Sequence, residues 1–178
     1  MSWFNKLTAN PEDYSIVLEA YDYYSNELDD ARSEIALSGS LERASSMLPG
    51  IVEYRFNQLQ EVEAILELLN IHYSKLRSSK LKHFLEHYNK SLSSRDAEKY
   101  AEADVDVVTM SEIINQIAFI RNKYLGVMKG LDNKSFQINN ITRLRCAGLE
   151  DAELNYGFRK NVKWFILKLY FYQFMKIC

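Results

Sequence analysis

Val52, Phe56, Leu59, Val62, Leu66, Leu69, Tyr73 and Leu76 recur at intervals of three or four residues. Ile113, Ile117, Ile120, Tyr124, Val127 and Leu131 follow at spacings of 4, 3, 4, 3 and 4. A strand brings every second residue to one face, whereas a helix brings every third or fourth. These stretches predict two long amphipathic helices, the first continuing through Leu81, Leu85 and Tyr88. The second seam is heptad-like and suits either packing inside a bundle or an intermolecular coiled coil. Two prolines and six glycines among 178 residues leave little punctuation for a many-stranded fold. The expected fold class is all-α: an oligomeric helical bundle with two long amphipathic helices, its subunits joined through the later helices.

Shorter signals fill in the rest. Trp3, Phe4 and Leu7 form a small apolar cluster. Asn10 followed by Pro11 reads as an N-cap and first helical residue, opening an acidic helix to about Ile35 with Ile16, Ala20 and Tyr23 or Tyr24 on one side. Ser40 is placed to cap a short helix, and Pro49-Gly50 reads as a break. Residues 89–100 read as a loop leading into an acidic turn, Glu102 to Asp106, whose carboxylates suit the start of the next helix. Asp132-Asn133 reads as a stop, with Phe136, Ile138 and Ile141 opening an extended stretch or a last helix. Three regions result: an acidic helical arm at 1–44, a helical core at 45–154, and an apolar aromatic tail at 155–178. Trp164, Phe165, Ile166 and Leu167 are consecutive, so the tail is apolar on every side and is expected to be buried as a helix. It is short and often charged for a membrane span.

Charge is distributed unevenly. Residues 1–70 hold four cations (Lys6, Arg32, Arg43, Arg55) against 13 acids, residues 71–100 seven against three, and residues 101–178 eleven against eight. An acidic front and a basic middle suggest separate binding surfaces or self-association through opposite charges. Lys75, Arg77, Lys80, Lys82 and Lys90 lie in one stretch with Tyr73, Phe84 and Tyr88 among them. Cations hold phosphates and aromatic faces stack on unpaired bases, so this pattern fits single-stranded nucleic acid; a solvated helix face with inward aromatics fits it equally. Arg121, Lys123, Lys129, Lys134, Arg143 and Arg145 offer a second strip, with Asp132 the single acid between Arg121 and Arg145.

Enzyme signatures are thin. His83-Phe84-Leu85-Glu86-His87 fits the H-x-x-E-H pattern of certain zinc proteases, and on a helix the two histidines share a face. No comparable downstream acid offers a third ligand, and so short a pattern arises easily by chance. The two histidines are expected to be surface or interface residues. No phosphate-binding G-x-x-x-x-G-K-[ST] and no nucleophile elbow G-x-S-x-G occurs. Cys146 and Cys178 have no metal-type spacing, and for Cys146 simple burial is the expectation. No enzyme activity, metal or cofactor is expected. Neither the cysteine usage nor the N-terminus suggests secretion.

The stretch "ADVDVVTMSEIINQIAFIRNKYLGVMKGLDNKSFQINNITRLR" carries a resemblance. An acidic turn opens a helix, which is followed by a basic residue, a small residue and an aromatic, and an "I--I---R" signature closes the block. Lys134, Ser135, Phe136, Ile138, Ile141 and Arg145 occupy those positions. "LKHFLEHYN" and "SSMLPGIVEYRFNQLQ" extend the match upstream. Residues 45–153 thus resemble the UvsY-type recombination mediators of T-even-like phages.

The resemblance implies a mostly helical protein assembled as a hexamer-like homo-oligomeric ring in the host-cell cytoplasm. It would bind single-stranded DNA and help load a phage recombinase onto DNA coated by single-strand-binding protein. The family's DNA-contacting cations lie in the basic helix before the loop. Lys82 matches one of them, while Phe84 stands where the family has a second. The DNA-binding residues expected are Lys75, Arg77, Lys80, Lys82, Tyr88, Lys90, Lys134, Arg143 and Arg145. Two other functions fit the same sequence: a helical scaffold or adaptor with no DNA role, and a membrane-peripheral protein anchored by its tail.

Overall fold

The computed structural model describes residues 2–11, 13–87 and 93–149, and those residues form helices and short connections with no strand. Five helices follow in order: α1 (Trp3–Ala9), α2 (Ser15–Ile35), α3 (Leu41–His87), α4 (Ser94–Glu102) and α5 (Val105–Cys146). The expected tail at 155–178, with Cys178, lies outside the described residues.

The directions of the helices follow from their contacts. Gln58 of α3 meets Tyr124 of α5, and Lys80 meets Asp104 and Asp106 at the start of α5. The two long helices are therefore antiparallel. Tyr24 lies against Tyr124, and Glu34 meets Lys134, so α2 runs parallel to α5 and opposite to α3. One core joins Leu7 of α1, the Val17–Ala31 face of α2, Leu59 to Leu69 of α3 and Ile117 to Ile138 of α5. The first 44 residues thus contribute to this core and do not stand apart from it.

The α5 seam is spent inside the chain. Ile117, Ile120, Tyr124 and Leu131 are buried among α2 and α3 residues, with Val127 beside them. It cannot also hold subunits together, so any assembly must use another face.

On α3, Leu59, Val62, Leu66 and Leu69 are buried as their spacing requires, while Val52, Tyr73 and Leu76 pack at the margin. Phe56 is exposed, and Arg55 takes the inward place. Arg55 is tolerated there because Glu27 accepts from its Nη1 at 2.7 Å, and Glu34 accepts from its Nε and Nη2 at 2.8 Å each. Gln58 accepts a further bond at 2.8 Å. Burial raises the Glu27 carboxyl, but hydrogen bonds from Gln58, Arg55 and Tyr54 outweigh it and hold the group below its ordinary value.

Several boundaries differ from the sequence expectation. Asn10 closes α1, its N–H donating to the Lys6 carbonyl, and α2 starts at Ser15, whose N–H and hydroxyl both donate to the Asp13 carboxylate. Ser40 does cap α3, accepting from the Arg43 N–H, but the helix runs through Pro49 and Gly50. A proline within a helix costs about 3 kcal/mol. Here Pro49 and Ser45 are exposed, so water can reach the carbonyl that loses its donor, and the flanking Leu48 is buried. The expected loop after residue 92 contains α4, capped by Ser93, which accepts from the Asp96 N–H. Ala97 and Ala101 bury completely against the long helices. Asp104 caps α5 as its charge suggested, accepting from the Asp106 N–H at 3.0 Å. That helix passes through Asp132-Asn133 because Leu131, Lys134 and Ile138 all face inward. Cys146 is exposed at its end.

Candidate nucleic-acid interface

The cations expected to bind DNA do not form one surface. Arg77 Nη2 meets Glu102 at 2.6 Å, and Lys80 Nζ meets Asp104 at 2.9 Å and Asp106 at 2.5 Å. Asp106 and then Asp104 raise the Lys80 ammonium above its ordinary value, and Lys80 lowers Asp104. These contacts tie the α4–α5 corner onto α3. Lys82 lies 3.9 Å from Glu86 one helical turn away, with both side chains largely in water, an arrangement worth little. Lys75 is exposed and has no ion-pair partner among the described residues. Tyr88 and Lys90 lie outside the described residues.

The second group is also divided. Lys134 is buried, and its ammonium donates to the Glu34 carbonyl at 2.6 Å. It is part of the fold and not of a surface strip. Arg143 and Arg145 are exposed at the far end of α5. From Asp106, where Lys80 sits, to Arg143 the helix runs about 55 Å at 1.5 Å per residue. The two basic groups therefore occupy opposite ends of the molecule.

His83 and His87 stack, with ring centroids 4.9 Å apart and planes 17° from parallel. No group of three or more His, Cys, Asp or Glu side chains gathers as a metal site among the described residues.

The face of α5 that points away from the core has a different character. Ile117, Tyr124, Leu131 and Ile138 face inward at seven-residue intervals. Two positions before each of the first three, and once more before Ile138, come Asn115, Asn122, Lys129 and Phe136, with Arg143 next. Two residues back is about 200° around a helix, so this stripe faces out, and all five residues are exposed. It is about 42 Å long. Phe136 is 65% exposed and Phe119, beside the stripe, 56%. Lys123 lies 4.3 Å above the Phe119 ring. Asn133 and Gln137 are exposed next to Phe136. Lys129, Arg143 and Arg145 make no ion pair among the described residues.

Sequence reasoning reached the cations of this face as a second strip but missed its amides and Phe119. The available signal was the seven-residue recurrence of Asn115, Asn122, Lys129, Phe136 and Arg143 two positions behind the seam. Chemically the stripe offers cations with no ion pair among the described residues, flat aromatic surfaces and side-chain amides, of which Asn122 already accepts from Arg121 through its oxygen.

No family model, curated protein or solved structure matches the chain.

Proposed function

We propose that the protein is a recombination mediator that binds single-stranded DNA along the outward face of α5 and assists loading of a recombinase onto DNA coated by single-strand-binding protein. The observation that carries the DNA-binding part is the Asn115–Arg143 stripe, where Lys129 and Arg143, with no ion-pair partner among the described residues, share one exposed line with Phe136, Asn115 and Asn122. Phosphates would meet Lys129 and Arg143, while bases would stack on Phe136 and Phe119; Arg145, two residues beyond Arg143, continues the seam line and lies off this face. Such stacking contributes about 1–3 kcal/mol per base and tolerates any sequence. The mediator role rests on the resemblance of residues 45–153. Assembly of several copies belongs to the same reading, since repeated weak contacts on one strand gain from high effective concentration.

On α3 the acids Glu102, Asp104 and Asp106 already occupy Arg77 and Lys80. In this reading those two cations contribute to the fold more than to DNA.

A protein-docking surface is the second reading, favoured by the scarcity of charge along the stripe: depletion of charge with aromatic enrichment marks interface cores. Fluorescence anisotropy with labelled single- and double-stranded oligonucleotides at two salt concentrations separates the two. DNA binding requires a preference for the single strand and a log–log salt slope of about −0.7 per neutralised phosphate. An absence of binding at low salt would leave the docking surface. For the membrane reading, no helix among the described residues is long and apolar enough to cross a membrane.

A further inference from the structure

The elbow between α2 and α3 forms a half-open cavity of about 420 Å3, within the range of small-molecule sites. Its walls include Ser33, Glu34, Ser38, Arg43, Met47 and Lys134. Lys134 is 8% exposed. Its ammonium has three N–H donors, and the Glu34 carbonyl is the one acceptor it meets among the described residues. The Glu34 carboxylate is engaged elsewhere, held in two bonds by Arg55. Burial pulls Lys134 below the ordinary lysine value, and the Glu34 charge only partly opposes this.

Arg43, in the first turn of α3, lines the same cavity. Its side chain is in no ion pair among the described residues. A lysine that merely closes the end of α2 would account for the contact with the Glu34 carbonyl, because a cation is favourable at a helix C-terminus. It would account for neither the cavity nor a second cation in its wall with no ion pair among the described residues.

We infer that this cavity binds a small phosphate-bearing anion, held between the Lys134 ammonium and the Arg43 guanidinium. Ser38 supplies a hydroxyl at the rim. A phosphate dianion accepts charge-assisted hydrogen bonds from both cations and supplies the negative charge that the buried ammonium lacks. The site lies on the inner side of the elbow and is separate from the outward α5 stripe, so it stands or falls independently of DNA binding there.

Thermal unfolding of the full chain tests it, with inorganic phosphate replacing chloride at constant ionic strength. A ligand that binds only the native state raises Tm progressively with its concentration. Tm should climb with phosphate in the parent and in Lys129→Ala. In Arg43→Ala, which removes an exposed side chain and leaves the core intact, the rise should shrink to the general strengthening of burial that phosphate gives any fold. Thymidine monophosphate and thymidine complete the experiment. A shift with the monophosphate at lower concentration than with phosphate identifies a nucleotide site, and equal shifts identify a site for the phosphate group alone. Thymidine should be inert. Equal Tm in phosphate and chloride, or an undiminished phosphate response in Arg43→Ala, would overturn the inference.

Discussion

Replacing Arg55 by Met keeps a long unbranched stem in the α3 seam and removes the guanidinium. The Arg55 side chain is 3% exposed and binds Glu27, Glu34 and Gln58 at 2.7–2.8 Å. Removing one partner of a buried pair costs about 3–5 kcal/mol. Glu27 and Glu34 keep 23% and 26% exposure and can turn to water, so the cost should fall to about 2–3 kcal/mol. For a chain of this size, at about 2–4 °C per kcal/mol, Tm should drop by about 4–12 °C. The effect should also depend on pH. Glu27 has a folded-state pKa below its ordinary 4.5. Its contribution is therefore present above that value and lost as pH falls through the lower, folded value. The Tm gap between parent and Arg55→Met should shrink between neutral pH and about pH 3. Thermal melts followed by far-UV circular dichroism measure both. A variant as stable as the parent at neutral pH, or a gap that does not change in acid, would refute the assignment of Arg55 as the centre of a charged cluster.

Two further predictions probe the frame. A Cβ on Gly130 would stand 2.7 Å from Ile35 Cδ1 and 3.1 Å from its Cγ1 and Cγ2, so crowding of about 1–3 kcal/mol should outweigh the helix gain of about 0.5–1 kcal/mol and leave Gly130→Ala destabilised, with partial rescue by Ile35→Val. The same change at Gly126, where nothing lies within 4 Å, should stabilise by about 0.5–1 kcal/mol, and urea unfolding of the two variants should show opposite signs. Glu61 accepts from the Ser2 hydroxyl at 2.5 Å and the Phe4 N–H at 3.0 Å, fastening α1 to α3. Burial raises this carboxyl, yet the bonds from Ser2 and Phe4 outweigh it and hold it below 4.5, so the attachment should persist above that pH and loosen as pH falls through the lower, folded value. Trp3 fluorescence in a Trp164→Phe background should shift to the red over that range, and Glu61→Gln should show a weakened attachment already at neutral pH.

The long helical seams were legible because apolar spacing and helical period coincide over many turns. Arg55 was not, since a reading based on hydrophobicity prefers the adjacent Phe56. Only acids 21 and 28 positions earlier make the arginine an acceptable core residue. Pro49 and Asp132-Asn133 read as stops because propensity is local, whereas buried Leu48 with half-buried Ile51 and Val52 around the first, and buried Leu131 and Lys134 around the second, carry the helix onward. The site suffered most from distance along the chain. Arg77 and Glu102 are 25 residues apart and Lys134 and Glu34 are 100 apart, so a run of cations gave no sign of which were already paired or buried. Periodicity could have located the outward α5 stripe, since Asn115, Asn122, Lys129, Phe136 and Arg143 keep seven-residue spacing beside the seam. Choosing between that stripe and the α3 cations required the ion pairs.

Anisotropy titration of one labelled single-stranded oligonucleotide against four proteins tests the central claim most directly: the parent, Phe136→Ala, Lys129→Ala and Lys80→Ala. Phe136→Ala should lose about 1–3 kcal/mol of binding, a weakening of about fivefold to 150-fold, and keep the parent's salt slope. Lys129→Ala should weaken binding and flatten the slope by about 0.7. Lys80→Ala removes a cation already held by Asp104 and Asp106, so it should bind nearly as the parent does while melting at a lower temperature. Parent-like affinity and slope in both stripe variants, together with a large loss in Lys80→Ala, would contradict the account and return the DNA surface to α3.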